Sequence, residues 1–178
     1  TCPDKYRKLA DFGLANIYYR KDNPFHQIDS AYACIKRCEA APVIDKSKIQ
    51  KKLLKWQITN DSILKLKQLI EIRAYEYVKA INTIPAYEAY IQKYWQSNLV
   101  QEAAKNRNSL AFEQVVKINT SEAYQDFINK YPASNEAPIA KKNFELAIFR
   151  KHLLNRLSSL QYLLIQQINE LNLLLLPL

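Results

Sequence analysis

Two cysteines four residues apart, Cys34 and Cys38, are the first place in this chain where residue type and spacing suggest chemistry. On a helix they share a face. Such a pair could begin a zinc site, but a structural zinc ion needs further ligands. Only Cys2, His26 and His152 remain to supply them, and none lies in a metal-binding motif. Helix geometry makes a disulfide between positions 34 and 38 awkward. Both thiols are read as core residues, and no metal or cofactor is expected. For acid–base work the chain offers Glu113 with Glu122, or Asp126 with Glu136. Solvated helix faces account for both pairs. No G-x-S-x-G, H-E-x-x-H or phosphate-loop pattern is present, and the two histidines are far apart in sequence. The chain is read as a non-enzyme.

The strongest charged feature is "DKSKIQKKLLKWQ", read as a basic amphipathic helix over residues 45–57. It places Lys46, Lys48, Lys51, Lys52 and Lys55 within about three turns, beside Ile49, Leu53, Leu54 and Trp56. Lys48, Lys51, Lys52, Lys55 and Trp56 are candidate partner-binding residues. They could meet acidic protein, anionic lipid or nucleic acid. A surface helix whose lysine stems lie over the core is the plainer account. The net charge of +9 and pI near 9.4 favour an acidic partner of some kind. Nucleic-acid readers usually add aromatic platforms. The tyrosines here sit mostly where helices must pack, so nucleic acid is not the expected partner.

What must position these residues is a set of helices. One glycine in 178 residues leaves little material for hairpin turns, bulges or phosphate loops. That glycine, Gly13, lies in a stretch that itself reads as helix. The chain also repeats itself. "INTIPAYEAYIQKYWQSN" at Ile81–Asn98 returns as "INTSEAYQDFINKYPASN" at Ile118–Asn135, 37 residues later and without a gap. A period of this size indicates stacked supersecondary units. Thr83 and Thr120 are expected N-caps. Pro85 and Glu122 suit a first helical turn. Ala123, Tyr124, Phe127, Ile128 and Tyr131 form one apolar stripe of helical period. Pro132 stops that helix. A longer one follows in each copy, with Ala103, Ala104, Ala137 and Ala140 allowing close approach. Tyr87, Tyr94, Tyr124 and Tyr131 recur at packing positions. Tyr18, Tyr19, Tyr75, Tyr77, Tyr90 and Trp95 include residues that could line a concave groove, with Tyr90 and Trp95 the candidate partner contacts.

Upstream, Leu14, Ala15 and Tyr18 fall on one helix and Ala31, Ile35 and Cys38 on the next, joined by "KDNPFHQ". Asp61 is the expected cap of a long helix reaching Asn82. At the C-terminus, Ser158, Ser159, Tyr162 and Ile165 echo the second copy as a decayed third unit, followed by "LNLLLLPL". This stretch is read as a terminal helix covering the last repeat, or as an apolar helix awaiting a partner. The window from Arg156 to Glu170 is too short and too polar for a membrane span. With no methionine in the chain, Thr1 is not expected to be an initiator. Cys2 is then a candidate lipid-bearing residue of a bacterial lipoprotein, although Thr1 precedes it.

"AYQDFINKYPASNEAPIAKKNFELA" resembles the tetratricopeptide-type repeats of exported bacterial proteins. In these, a helix ending in F-I-x-K-Y-P-x-S is followed by an alanine-rich helix. The phrasing "INT…AY…FI.KYP.S" is similar to repeats of exported and envelope proteins of Bacteroidota, including secretion and gliding machinery. The resemblance covers about three quarters of the chain. Three features depart from the pattern. The period is 37 against about 34, Trp95 stands where the helix-ending proline would be, and residues 43–72 fit poorly. The expected fold is therefore an all-α, irregular tetratricopeptide-like solenoid of stacked antiparallel helix pairs. Its parts are an N-terminal pair (1–42), a basic helix with a long connecting helix (43–82), copy one (83–119), copy two (120–156) and a degenerate repeat or terminal apolar helix (157–178). The resemblance implies a non-catalytic interaction scaffold in a bacterial envelope complex, periplasmic or associated with the outer membrane, with other proteins as partners. The alternatives are a basic adaptor for nucleic acid or anionic membrane acting through Lys46–Lys55, and a cytoplasmic location.

Overall fold

The computed structural model describes residues 6–24, 26–42 and 47–174. Cys2, Asp45 and Lys46 lie outside them. Among the described residues the chain is helical, without a strand. The helices are α1 (Arg7–Tyr19), α2 (Ile28–Ala40), α3 (Ser47–Lys55), α4 (Asn60–Ile81), α5 (Ile84–Lys93), α6 (Val100–Ile118), α7 (Ser121–Lys130) and α8 (Ala137–Leu174). They fall into two compact units, residues 1–104 and 105–178. The division lies within the first sequence copy, inside α6.

In the first unit, α2 packs against both α1 and α4, and α4 packs against α5. Ala15 and Ala31 are fully buried, so their small side chains let backbones approach. Ile35 and Ile70 are also fully buried, and Cys34 is nearly so. The Cys38 thiol is buried and donates to Lys8 O at 3.3 Å. Burial pushes that thiol up to about 11, as expected for an inert core cysteine. Asp11, only 6% exposed, is held by Arg37 at 2.9 Å.

Two helix ends differ from the sequence expectation. α3 stops at Lys55 because Gln57 takes a left-handed conformation (φ 52°). Ile58 N then donates to Leu53 O at 2.8 Å and Gln57 N to Leu54 O at 3.0 Å. That bonding is a Schellman ending with glutamine where glycine is usual. α4 is capped by Thr59, not Asp61. Ser62 N donates to Thr59 Oγ1 at 3.1 Å, and Thr59 N donates to Ser62 Oγ at 2.9 Å, a reciprocal capping box. Asp61 instead meets Lys65 one turn on, at 2.8 Å.

The duplicated words build duplicated joints. Asn82 (φ 51°) ends α4 and Asn119 (φ 54°) ends α6, both left-handed. Asparagine tolerates that region better than most residues. Tyr87 Oη donates to Asn82 Oδ1 and Tyr124 Oη to Asn119 Oδ1, each at 3.2 Å. The next turn repeats too. Tyr94 N and Tyr131 N donate to Tyr90 O and Phe127 O, each at 2.8 Å. One expected cap does not form. Thr120 Oγ1 accepts from Ala123 N at 3.2 Å, but Thr83 makes no side-chain cap bond. Pro85, two residues after Thr83, has no N–H, which removes one of the two amides a cap can engage.

In the second unit, α7 packs on α8, with Tyr124, Phe127 and Tyr131 buried and Ala123 and Ile128 half-buried. Ala137 and Ala140 lie beneath them, also buried. Phe127 sits between Phe112 (centroids 5.4 Å apart) and Tyr131 (5.3 Å).

α8 does not break where the echo of a third copy suggested. Asn119–Thr120 follows Asn82–Thr83 by 37 residues, but 37 residues further on stand not Asn–Thr but Arg156–Leu157. The left-handed stop and the hydroxyl cap are both gone, and the helix continues to Leu174. Ser158 and Ser159 do not cap. Their hydroxyls donate back to Leu154 O and Asn155 O, each at 3.0 Å. Every residue from Lys151 to Glu170 is exposed. No helix among the described residues is long and apolar enough to cross a membrane.

Candidate functional site

A concavity of about 830 Å³ lies in the first unit. Three elements form it. Along α4, Ala74, Tyr77, Val78 and Ile81 recur at helical spacing and supply one wall. Along α5, Ala86, Ala89, Tyr90 and Lys93 supply another. The α1–α2 turn and the start of α2 contribute Lys21, His26, Gln27, Ile28 and Asp29. Ala86 and Ala89 leave the hollow open because a methyl group fills little space between two helices. Tyr77 is 68% exposed and Ile81 is 44% exposed, so large apolar surface faces the opening. The volume is within the range of built ligand sites, roughly 300–1,000 Å³.

Charged groups rim this apolar wall, and several are fixed. Asp29 Oδ1 is 2.7 Å from Lys93 Nζ and accepts from Tyr94 Oη at 3.1 Å. Burial, then the nearby Asp29, pushes the Tyr94 hydroxyl well above the ordinary tyrosine range, so it stays a donor. The Arg73 guanidinium stacks over Tyr19 at 3.9 Å and donates to Tyr19 O at 2.7 Å.

Beneath the hollow lies a tyrosine cluster. Tyr94 meets Tyr32 at 4.4 Å and Tyr90 at 4.8 Å between ring centroids, and Tyr75 meets Tyr90 at 5.5 Å. Tyr90 was a candidate partner contact, but only 1% of it is exposed. Its hydroxyl donates to Glu71 O at 3.2 Å and pairs with Ser97 Oγ at 3.1 Å. It is part of the hollow's base, anchored by buried polar groups. Glu71 is itself 5% exposed, with Oε1 lacking a hydrogen-bond partner among the described residues. Burial raises its carboxyl above the ordinary range, against the pull of Lys67 and Ser97. Glu39 behaves oppositely. Burial pushes it up, but hydrogen bonds from Lys67 and Lys36 outweigh that, and the carboxyl ends below its ordinary range.

The other predicted residues are not part of this hollow. Trp95 is 69% exposed on the turn after α5 and does not line it. Lys48, Lys51, Lys52 and Lys55 are all exposed on or at the end of α3, with Ile49 buried beneath. Leu54 and Trp56 are 67% and 66% exposed beside them. Lys52 lies over the Tyr6 ring at 5.4 Å. The lysines and Trp56 therefore form one surface patch, while Tyr90 and Trp95 belong elsewhere.

One member of each candidate carboxylate pair has a structural partner. Glu122 is held down to about 2 by Lys151, its own backbone amide and Ser121, and Glu136 accepts from Ser109 at 2.6 Å. Among the described residues no three His, Cys, Asp or Glu side chains gather to hold a metal.

Sequence reasoning singled out Tyr77 and Tyr90 but missed Ile28, Arg73, Ala86 and Ala89. The Ala74–Ile81 stripe was a readable signal, because its period is helical while Tyr77 and Ile81 stay exposed. Comparison with known protein families, with curated proteins and with solved structures finds no match.

Proposed function

We propose that this chain is a non-catalytic interaction scaffold that holds an amphipathic helix or extended peptide of another protein in the hollow between α4 and α5. The observation that carries this is the combination of an open volume of about 830 Å³ with exposed Tyr77 and Ile81 on its wall. Such concave apolar surfaces, with a few placed polar groups, suit helix-in-groove or peptide recognition. The partner's apolar side chains enter between Ala86 and Ala89, and its polar groups meet the charged rim. The repeated joints at Asn82 and Asn119 support an irregular tetratricopeptide-like solenoid as the frame. The resemblance to exported repeats supports a place in a bacterial envelope complex.

The test is affinity capture from the native source, in mild detergent, with the wild-type chain and with Ala89→Arg. The long cation fills the hollow while leaving Tyr90 in place. Proteins held by the wild type and lost by A89R support the groove. An identical set on both baits contradicts it.

A second reading rests on α3, where exposed Lys48, Lys51, Lys52 and Lys55 adjoin exposed Leu54 and Trp56. That combination suits an adaptor for an anionic membrane or nucleic acid. Salt-sensitive flotation with anionic vesicles, or retention on generic DNA, abolished by K51E/K55E, would favour it. Absence of both at low salt would reject it.

A further inference from the structure

The bare half of α8 has a regular pattern. Leu153, Leu157, Leu160 and Leu164 follow at alternating spacings of four and three, and Gln167 continues the series. These are the a and d positions of a coiled-coil seam. Leu154 and Ile168 fall at the flanking e positions and Leu163 at g, which widens the apolar face. Asn155, Ser158, Ser159, Tyr162, Gln166 and Asn169 occupy the opposite face, where Ile165 is the one aliphatic residue between positions 153 and 170. Leu157, Leu160 and Leu164 are 53%, 61% and 60% exposed, so the seam is uncovered. A stripe this apolar on a continuous helix calls for an occupant.

We propose that the occupant is the same segment of a second copy, running antiparallel. The charges select it. Between positions 153 and 170 only Arg156 and Glu170 are charged, and both fall at g. In an antiparallel pair the g positions face each other across the seam. One register layers Leu160 on Leu164 of the second copy and Leu157 on Gln167 of the second copy. In that register Arg156 lies beside Glu170 of the second copy, and the two-fold axis repeats the ion pair. It also sets Leu154 against Ile168, Leu163 against its own copy and Gln161 against its own copy. A parallel pair would place Arg156 beside Gln161 and leave both charges without an opposite. The paired stretch of 18 residues is about 27 Å long. This inference does not depend on the groove between α4 and α5, and either can fail alone.

Sedimentation equilibrium of the full chain at tens of micromolar tests it, with far-UV circular dichroism as a control for folding. The wild type is expected to be a dimer and L160E/L164E a monomer of unchanged helicity. Arg156→Glu alone and Glu170→Arg alone are each expected to weaken dimerisation about tenfold, since each turns two attractive pairs repulsive. The double swap R156E/E170R is expected to restore it. A monomeric wild type, or a dimer indifferent to L160E/L164E, overturns the pairing. It would leave the helix to a different protein or to a further segment of this polypeptide. A dimer lost in L160E/L164E but not rescued by the double swap overturns the antiparallel register.

Discussion

α7 with the first part of α8, and the second part of α8 alone, are neighbouring stretches built on different terms. The first repeats a joint already used at Asn82 and buries Tyr124, Phe127 and Tyr131 against Ala137 and Ala140. The second carries as many large apolar side chains and buries none from Lys151 to Glu170. Apolar content alone does not make a core. A helix must also be stopped and turned so that its stripe meets another. Asn–Thr does this at 82–83 and 119–120, and Arg156–Leu157 does not.

The largest expected contrast comes from two tyrosines. Tyr124→Ala should cost about 3–5 kcal/mol, as for other large buried aromatics. Tyr162→Ala, on the polar face of the bare segment, should stay within about 0.5 kcal/mol. Urea titrations of both variants measure the difference, and equal losses would show that the two regions are not distinct. The joint itself is the next target. Asn119→Ala should destabilise by about 1–2 kcal/mol, because alanine pays the left-handed penalty and Tyr124 loses its acceptor. Asn119→Gly should cost less, since glycine keeps the backbone and only the hydrogen bond goes.

The capping threonines sharpen the comparison of the two copies. Thr120→Ala should cost about 1 kcal/mol, and Thr83→Ala only a few tenths, because Thr83 makes no cap bond. Thermal melts of both variants decide this, and equal effects would mean that Pro85 is not what separates them. A smaller effect is expected at Glu71. Its folded carboxyl titrates above the ordinary range, so the protonated form is the one folding favours. Its contribution is present at low pH and is lost as pH rises through its folded pKa. Glu71→Gln should therefore raise Tm near pH 7, with a gain that shrinks towards pH 4. A gain that grew on acidification would reverse the sign and contradict the burial argument.

Much of this organisation was legible in the sequence. The single glycine indicated an all-helical chain. The 37-residue echo located both joints, and the Ala123–Tyr131 stripe named the face that α7 buries. What was not legible has physical causes. Thr59 caps α4 rather than Asp61 because Ser62, three residues on, completes a reciprocal pair, and a carboxylate near a helix start looks much like a cap. The echo of a third unit at Ser158 does not start a new helix, because serines can mimic an N-cap in sequence yet bond back to the helix when nothing before them stops it. The hollow depends on residues from three elements, and Ala86 and Ala89 matter for the space they leave. Tyr90, a candidate groove residue from the sequence, lines the hollow at its base, but the hydrogen bonds of its hydroxyl to Glu71 O and Ser97 Oγ depend on the fold.

Hydrogen–deuterium exchange of the full chain across a range of concentrations most directly separates the self-sufficient joints from the unpartnered helix. Amides of residues 84–131 should be protected equally at every concentration. Those of residues 153–170 should exchange fast when dilute and gain protection as copies pair. Concentration-independent exchange across 153–170 would contradict the central claim that this half of α8 is covered by a second copy.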